Sequence, residues 1–435
     1  MKSKNLIYVV ATIAFAAATA PSRLTGQTTT NDKTLRYSIK ILDDLGGPAS
    51  RANSINDQGW ITGWSQLPGG TVQHATLWRN GLLTDLGTLG GLNSQVEFPD
   101  KNTRGIVLGG AEISAIDPYA ENFCNFGGNL ICLPFVWRNG VMAPLPTLGG
   151  NNGYATDINE GGQAIGFTEN NTKDPSCIAP QVFDFEAVMW EPETGAIRQL
   201  PHFPGDSVAA ALAINNQGQA VGGSGICQTP LASFSVSLHA VLWPNGANGE
   251  VIDLGTLGGM SSNLAFYINN KGQIVGTSDL PGDATGHAFL WENGVMTDLG
   301  TLAGDFFSVA YGINDNGQVV GQSCDVNFNC RAFLWQNGIM MDLNNIIPAN
   351  SGLFLIDPAD INSRGEIVGQ AYDLVAGRSL AFLAVPYDGG GTEAAGTNPA
   401  AVTSNQNSKI ILPLNVRQKL RQRLHFGGVA ASRSK

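Results

Sequence analysis

Seven copies of one skeleton, Asn-x-x-Gly-x-x-x-Gly, constrain this chain more than any other feature. They begin at Asn56, Asn102, Asn159, Asn215, Asn269, Asn314 and Asn362, and every copy keeps both glycines. The cleanest surrounding unit spans residues 263–304. Residues 264–268 form a short apolar run, and 269–272 (Asn-Asn-Lys-Gly) read as a type I turn. The Asn side chain caps that turn and the Gly takes positive φ. A second apolar run follows at 273–276, then His287-Ala288-Phe289-Leu290-Trp291, Asn293-Gly294 and a final run at 295–302. Asn-Gly between two β-rich runs is a hairpin signal. Each unit is therefore two hairpins, or four strands, A to D.

Successive units begin 45 to 57 residues apart. Four-stranded repeats of that length are the pattern of propeller blades, whereas a parallel β-helix uses shorter coils. A tryptophan recurs on strand C at Trp78, Trp137, Trp190, Trp243, Trp291 and Trp335, with Ala384 in the seventh copy. Ala52, Ala155, Ala211, Ala265 and Ala310 each lie three residues before the strand A isoleucine, a small residue where blades crowd the axis. The seventh unit ends after strand C at 381–383. Its missing strand is expected from the other end of the chain, at 37–45, which removes an open edge and closes the ring. The expected fold is all-β, a seven-bladed β-propeller over 35–386 closed by an N-terminal strand.

The flanks read differently. Residues 1–26 hold Lys2, Lys4 and a short, mainly apolar run, the pattern of an export signal. The expected location is therefore extracellular or cell-surface, with the periplasm as an alternative. Residues 387–408 are a linker rich in Gly, Thr, Asn and Ala. Residues 409–435 carry seven of the 24 basic residues and no acid. The remaining 17 face all 35 acidic residues, so the propeller is strongly acidic and nucleic acid is not an expected partner. In the tail, Asn415 is placed to cap a helix with Val416, Leu420 and Leu424 on one face. That tail reads either as a tether to a membrane or other anionic surface, or as a disordered or self-docking segment.

Six cysteines suit an oxidising compartment. Loop position pairs Cys124 with Cys132, Cys324 with Cys330 and Cys177 with Cys227. No two cysteines have C-x-x-C spacing, and no metal or cofactor is expected.

The motif His287-Ala288-Phe289, with His74-Ala75, His239-Ala240 and Arg331-Ala332-Phe333 as variants, is followed by Leu-Trp, Asn-Gly and Asp-Leu-Gly-Thr-Leu-Gly-Gly. This combination resembles the HAF family of bacterial extracellular repeat proteins over about residues 37–386. The resemblance implies an exported, propeller-like repeat protein and no particular activity. Blade two departs most, with Leu133-Pro134-Phe135 in place of the tripeptide. Blade three lacks the Asn-Gly turn and the Asp-Leu-Gly end.

The B–C loops of blades two, three and four are long, and four of the six cysteines lie in them. Binding residues concentrate on loops held by a rigid frame. The candidates there are Asp117, Tyr119, Glu121, Phe123 and Phe126 in blade two, Glu169, Asp174 and Phe183 in blade three, and Phe234 in blade four. His202 joins them from the blade-three D–A connection. Aromatic faces with carboxylates suit sugar rings or a protein surface, and equally suit folding the loop itself. His74, His239 and His287 occupy one repeat position on different blades, so they cannot meet at one ion; they are read as structural, as are Asp44, Asp85, Asp253, Asp298 and Asp342. No nucleophile elbow, zinc helix, phosphate loop or dinucleotide fingerprint is present. The expected protein is a monomeric binding module for a polysaccharide or surface protein. The alternatives are a secreted propeller enzyme acting on polysaccharide, and a structural or adhesive surface protein.

Overall fold

The computed structural model describes residues 35–99, 101–177, 179–191, 193–227, 237–388 and 410–424. They form seven four-stranded antiparallel sheets around a common axis, a seven-bladed β-propeller. The N-terminal 1–26 segment lies outside the described residues. Each blade runs A-B-C-D in sheet order except the last, whose order is Leu35–Ile41, Arg378–Asp388, Ile367–Asp373, Leu353–Ile361. The N-terminal strand thus completes blade seven, pairing Leu35 with Asp388 and Ile41 with Phe382. It is shorter than the 37–45 stretch expected at its C-terminal end, because residues 42–45 turn off toward blade one.

The repeat glycines have separate physical causes. The first of each copy has φ between 75° and 81°, the left-handed geometry that closes the A–B turn. The second faces a β-bulge. In six blades strand A slips register just after the recurrent small position, as between Ala265 and Tyr267. A Cβ on Gly276 would stand 2.0 Å from the Leu264 carbonyl oxygen, so no side chain fits. The Asn-Gly pairs at 80–81, 139–140, 293–294 and 337–338 have positive φ at both residues, the type I′ geometry that matches strand twist.

The repeat asparagine does more than cap its turn. Asn269 Oδ1 accepts the Lys271 and Gln273 N–H groups, both at 3.0 Å, as a turn cap. Its Nδ2 then crosses to the next blade and donates to the Asn314 carbonyl at 3.0 Å. The same amide donation links 56 to 102, 159 to 215, 215 to 269, 314 to 362 and 362 back to 56. In blade two Asn102 turns its amide to the Ile106 carbonyl of its own blade. A second belt lies outside it, in which Thr103, Glu160, Asn216, Asn270 and Ser363 each donate a backbone N–H to a side chain of the following blade.

On the flanks of the sheets, strand C tryptophans staple neighbours. Nε1 of Trp78, Trp190 and Trp243 donates to the carbonyls of Asp43, Pro146 and Pro201 in the preceding connection. Blade two, expected to be irregular, keeps only Ser94–Gln95 as strand A.

The three disulfides are 124–132, 177–227 and 324–330, as loop position suggested. Such bonds belong to an oxidising environment, and no described helix is long and apolar enough to cross a membrane.

The basic tail is docked over 410–424. Leu412, Val416 and Leu420 are buried against Phe307, Val309, Phe354 and Ile356 of blades six and seven. Leu412 N–H donates to Asn329 Oδ1. The helix is Leu414–Leu424, and the Pro413 carbonyl takes the first helical bond from Arg417. Asn415 is therefore exposed within the first turn and is not the cap expected from the sequence, because Pro413 starts the helix earlier.

Candidate functional site

The long loops of blades two and three rise on extended strands, Ile106–Ile116 with Leu130–Arg138 and Ala164–Lys173 with Phe183–Glu191. One disulfide pins the blade-two loop to itself, and 177–227 ties the blade-three loop to blade four.

Between the first two loops lies a buried acidic knot around Asn152. Its Nδ2 faces Asp117 at 3.0 Å, Glu121 at 3.2 Å and Glu169 at 3.1 Å. Asp117 Oδ1 accepts the Tyr119 and Glu121 N–H groups and sets the turn of its loop. Glu121 reaches across to accept Val182 N–H at 2.7 Å. Glu169 accepts from the Asn151 and Asn152 N–H groups and from Gln181 Nε2. All three carboxylates are at most 2% exposed. Burial first, then the charge of Glu121, pushes Glu169 up to about 8, and burial likewise raises Glu121. In this pair burial favours the protonated form of Glu169. Three of the candidate binding residues, Asp117, Glu121 and Glu169, thus spend their oxygens inside the protein.

The candidate aromatics divide. Phe123 is buried and Phe126 partly buried, packed with Phe98, Tyr154, Phe167 and Phe185, and Phe183 is buried beside Tyr119. Tyr119 is 37% exposed, edge-on to Phe183 at 5.0 Å, with Lys173 Nζ 4.6 Å from its ring centre. Among the described aromatics expected to bind, it alone is exposed. Phe234 lies outside the described residues.

A second acidic group sits on the blade-three sheet. Asp174 accepts from Ser176 N–H at 2.7 Å and Ser207 Oγ at 3.1 Å, and Ser176 holds it below the usual carboxylate range. Asp184 and Glu186 are 8% and 5% exposed. Burial pushes Asp184 to about 6, with Asp174 adding to it. Burial pushes Glu186 to about 7, and His202 opposes the shift in both. His202 itself lies half-buried beside the Phe203 carbonyl.

Sequence reasoning missed Asn152, Asp184 and Glu186. A signal existed for the last. Glu186 pairs with Thr168 as His74 pairs with Ser65, so it occupies the histidine position of the repeat. In four other blades that position carries a basic side chain paired with an acid. His74 meets Asp85 at 2.9 Å, His287 meets Asp298 at 3.0 Å, Arg331 meets Asp342 at 3.0 Å, and His239 meets Asp206 at 3.0 Å. Asp44 and Asp253 cap the N–H of Gly46 and Gly255. These are structural pairs with strand and loop neighbours.

The opposite face carries a small axial cavity of about 120 Å³, ringed by the A–B turns of all seven blades. Lys101 lies in it, 2.8 Å from Asp360 and 4.3 Å from the Tyr267 ring centre. Deeper along the axis Arg51 is held 2.9 Å from both Glu97 and Asp357. These charges are mutually satisfied.

No protein-family model matches the chain, and no curated protein matches it. Among solved structures it is similar to a gluconolactonase of Xanthomonas campestris, at 8% identity and a TM-score of 0.37, over 80% of this chain and 89% of that one. It is also similar to a prolyl endopeptidase, at 9% identity and a TM-score of 0.42, over 81% of this chain and 50% of that one. A third is dipeptidyl peptidase 4 of Porphyromonas gingivalis, at 11% identity and a TM-score of 0.31, over 74% and 44% of the two chains. At identities this low none of the three speaks to ligand or activity.

Proposed function

We propose that this protein is an exported binding module whose ligand, a polysaccharide or a surface protein, docks on the loop face of blades two to four. One observation carries this reading. Tyr119 is held exposed, with Lys173 over it, on a loop that one disulfide and a buried carboxylate knot make rigid. A preformed aromatic surface binds without the entropy cost of ordering a loop. The reading accords with the exported repeat family that the motif resembles.

Affinity electrophoresis in gels containing a panel of soluble polysaccharides tests it. The expected outcome is retardation by at least one polymer, weakened roughly tenfold in Tyr119→Ala, with an unchanged thermal midpoint. A Tyr119→Ala protein retarded as strongly as the parent would remove the site from this loop. Absence of retardation for every polymer would leave the surface-protein ligand, tested by cross-linking at Lys173. Degraded polymer would replace the binding reading with an enzymatic one. In that case Asp184 and Glu186, which burial shifts toward neutral pH, become the carboxyls to mutate.

A further inference from the structure

Most buried carboxylates in this propeller have answered their charge. Asp357 has Arg51, Asp360 has Lys101, Asp305 has Arg331 and Asp206 has His239. Asp117 and Glu169 are surrounded by N–H donors. Asp184 and Glu186 are different. Each is more than nine-tenths buried and has no such cation; Glu186 Oε1 accepts from Asn170 Nδ2 at 3.3 Å, while Asp184 Oδ1 and Glu186 Oε2, like Asp305 Oδ1, have no hydrogen-bond partner. Among the described residues, no lysine or arginine forms an ion pair with Asp174, Asp184 or Glu186. Leaving a buried carboxylate oxygen unanswered costs free energy that a fold normally avoids.

Two of these acids meet, and the third stands beside them. Carboxylate oxygens of Asp174 and Asp184 lie within 4.8 Å of each other and of the sulfurs of Cys177 and Cys227. Glu186 stands two residues from Asp184 along the same strand, and so on the same side of it. Two facing carboxylates are stable with a shared proton or with a cation between them. Among the described residues, the basic group acting on both Asp184 and Glu186 is His202, one imidazole against three acids.

We propose that Asp174 and Asp184 bind one divalent cation of the calcium class on the loop face of blade three, with the neighbouring Glu186 reaching it through water. The donor set decides the class. The two sulfurs are bonded to each other, so they offer no thiolate, and what remains is oxygen. All-oxygen sites suit hard cations, and calcium tolerates the irregular geometry that a loop and a strand supply together. Ser207 Oγ, already on Asp174, and water complete the shell. The cation would fasten the 174–182 loop to the strand beneath it. It would also leave coordination positions open to a ligand oxygen. The site does not depend on the Tyr119 reading, since a cation can bind whether or not that face takes a polymer.

The test is calorimetric titration of calcium chloride into the full chain dialysed free of metal, with thermal midpoints measured in parallel. The expected result is one saturable site per chain and a higher midpoint with calcium. Asp184→Asn and Glu186→Gln should each weaken binding at least tenfold, while Glu193→Gln, an exposed carboxylate elsewhere on the blade, leaves it unchanged. If Asp184→Asn does not fold, Glu186→Gln carries the comparison alone. Extracellular calcium modules bind at about 0.1–1 mM. No saturable heat and no midpoint shift up to roughly 10 mM, well beyond that range, would overturn the proposal. So would binding that both variants retain in full.

Discussion

Asn269 makes four hydrogen bonds with one amide, two accepted within its turn and two donated, to Asn314 O and Gln273 Oε1. Alanine removes all four and should cost about 1–3 kcal/mol. Aspartate keeps the acceptor but points a buried carboxylate at two oxygens, so Asn269→Asp should destabilise at least as much as Asn269→Ala. Urea unfolding midpoints decide this, and an Asn269→Asp protein as stable as the parent would show that the belt contributes little. The raised pKa of Glu169 beside Glu121 gives a second residue-scale prediction. Unfolded glutamates release their protons near pH 4.3, whereas the folded pair holds one until Glu169 titrates at about 8. Between those values the folded state binds more protons, so stability falls as pH rises toward 8. Glu169→Gln should flatten the thermal midpoint between pH 5 and 8 and raise it at pH 8. An unchanged slope in that variant would place the proton elsewhere. Part of this was legible in the sequence. Asn269 reads as a turn cap because its acceptor bonds are two and four residues away. Its inter-blade bond is 45 residues away and leaves no local trace. Likewise Glu121 and Glu169 stand out as loop acids, but nothing in their spacing says that Asn152 draws both inward.

The C-terminal helix shows how an element can be read correctly and its role left open. The apolar positions Val416 and Leu420 are visible at helical spacing, and both are buried. What they pack against is a groove formed by Phe307 and Phe354, from units that the sequence places far away. Arg417 donates to the Asn327 carbonyl and Arg421 lies 5.7 Å from the Phe328 ring centre, so two of the basic groups serve docking. Replacing Val416 and Leu420 together by alanine should release the helix, since burying one such side chain is worth about 1.5–3 kcal/mol. Trypsin measures this directly, because its target bonds after Arg417, Lys419 and Arg421 lie in the helix. Cleavage should accelerate at least tenfold in the double variant while the propeller stays intact. Equal rates would mean that the segment is already undocked in solution. The same limit explains the loop aromatics. Phe123 and Tyr119 look alike in sequence, and only the packing of Phe123 on Phe98, Tyr154 and Phe167 divides core from surface.

At the scale of the whole ring, the blade count, strand order and closing strand were all readable, because they rest on a pattern repeated seven times. The closure has a measurable cost if it is removed. Deleting residues 35–41 bares the edge of Arg378–Asp388 and takes Tyr37, fully buried, out of the blade-seven core. The shortened protein should melt earlier and associate through that edge, which size-exclusion chromatography with light scattering detects. A monomer with the parental midpoint would show that the closing strand is dispensable. The closure also sets an order in time. Leu35 must wait for Asp388 before it finds its partner, so the earliest part of the propeller to be synthesised is among the last to be satisfied. Six blades' worth of chain has to emerge while that strand stays unpaired. A product cut short anywhere before the seventh blade has two loose rims instead of a ring. For such a protein the seventh blade acts as a quality checkpoint, because only a chain that reaches Asp388 can fasten its own beginning.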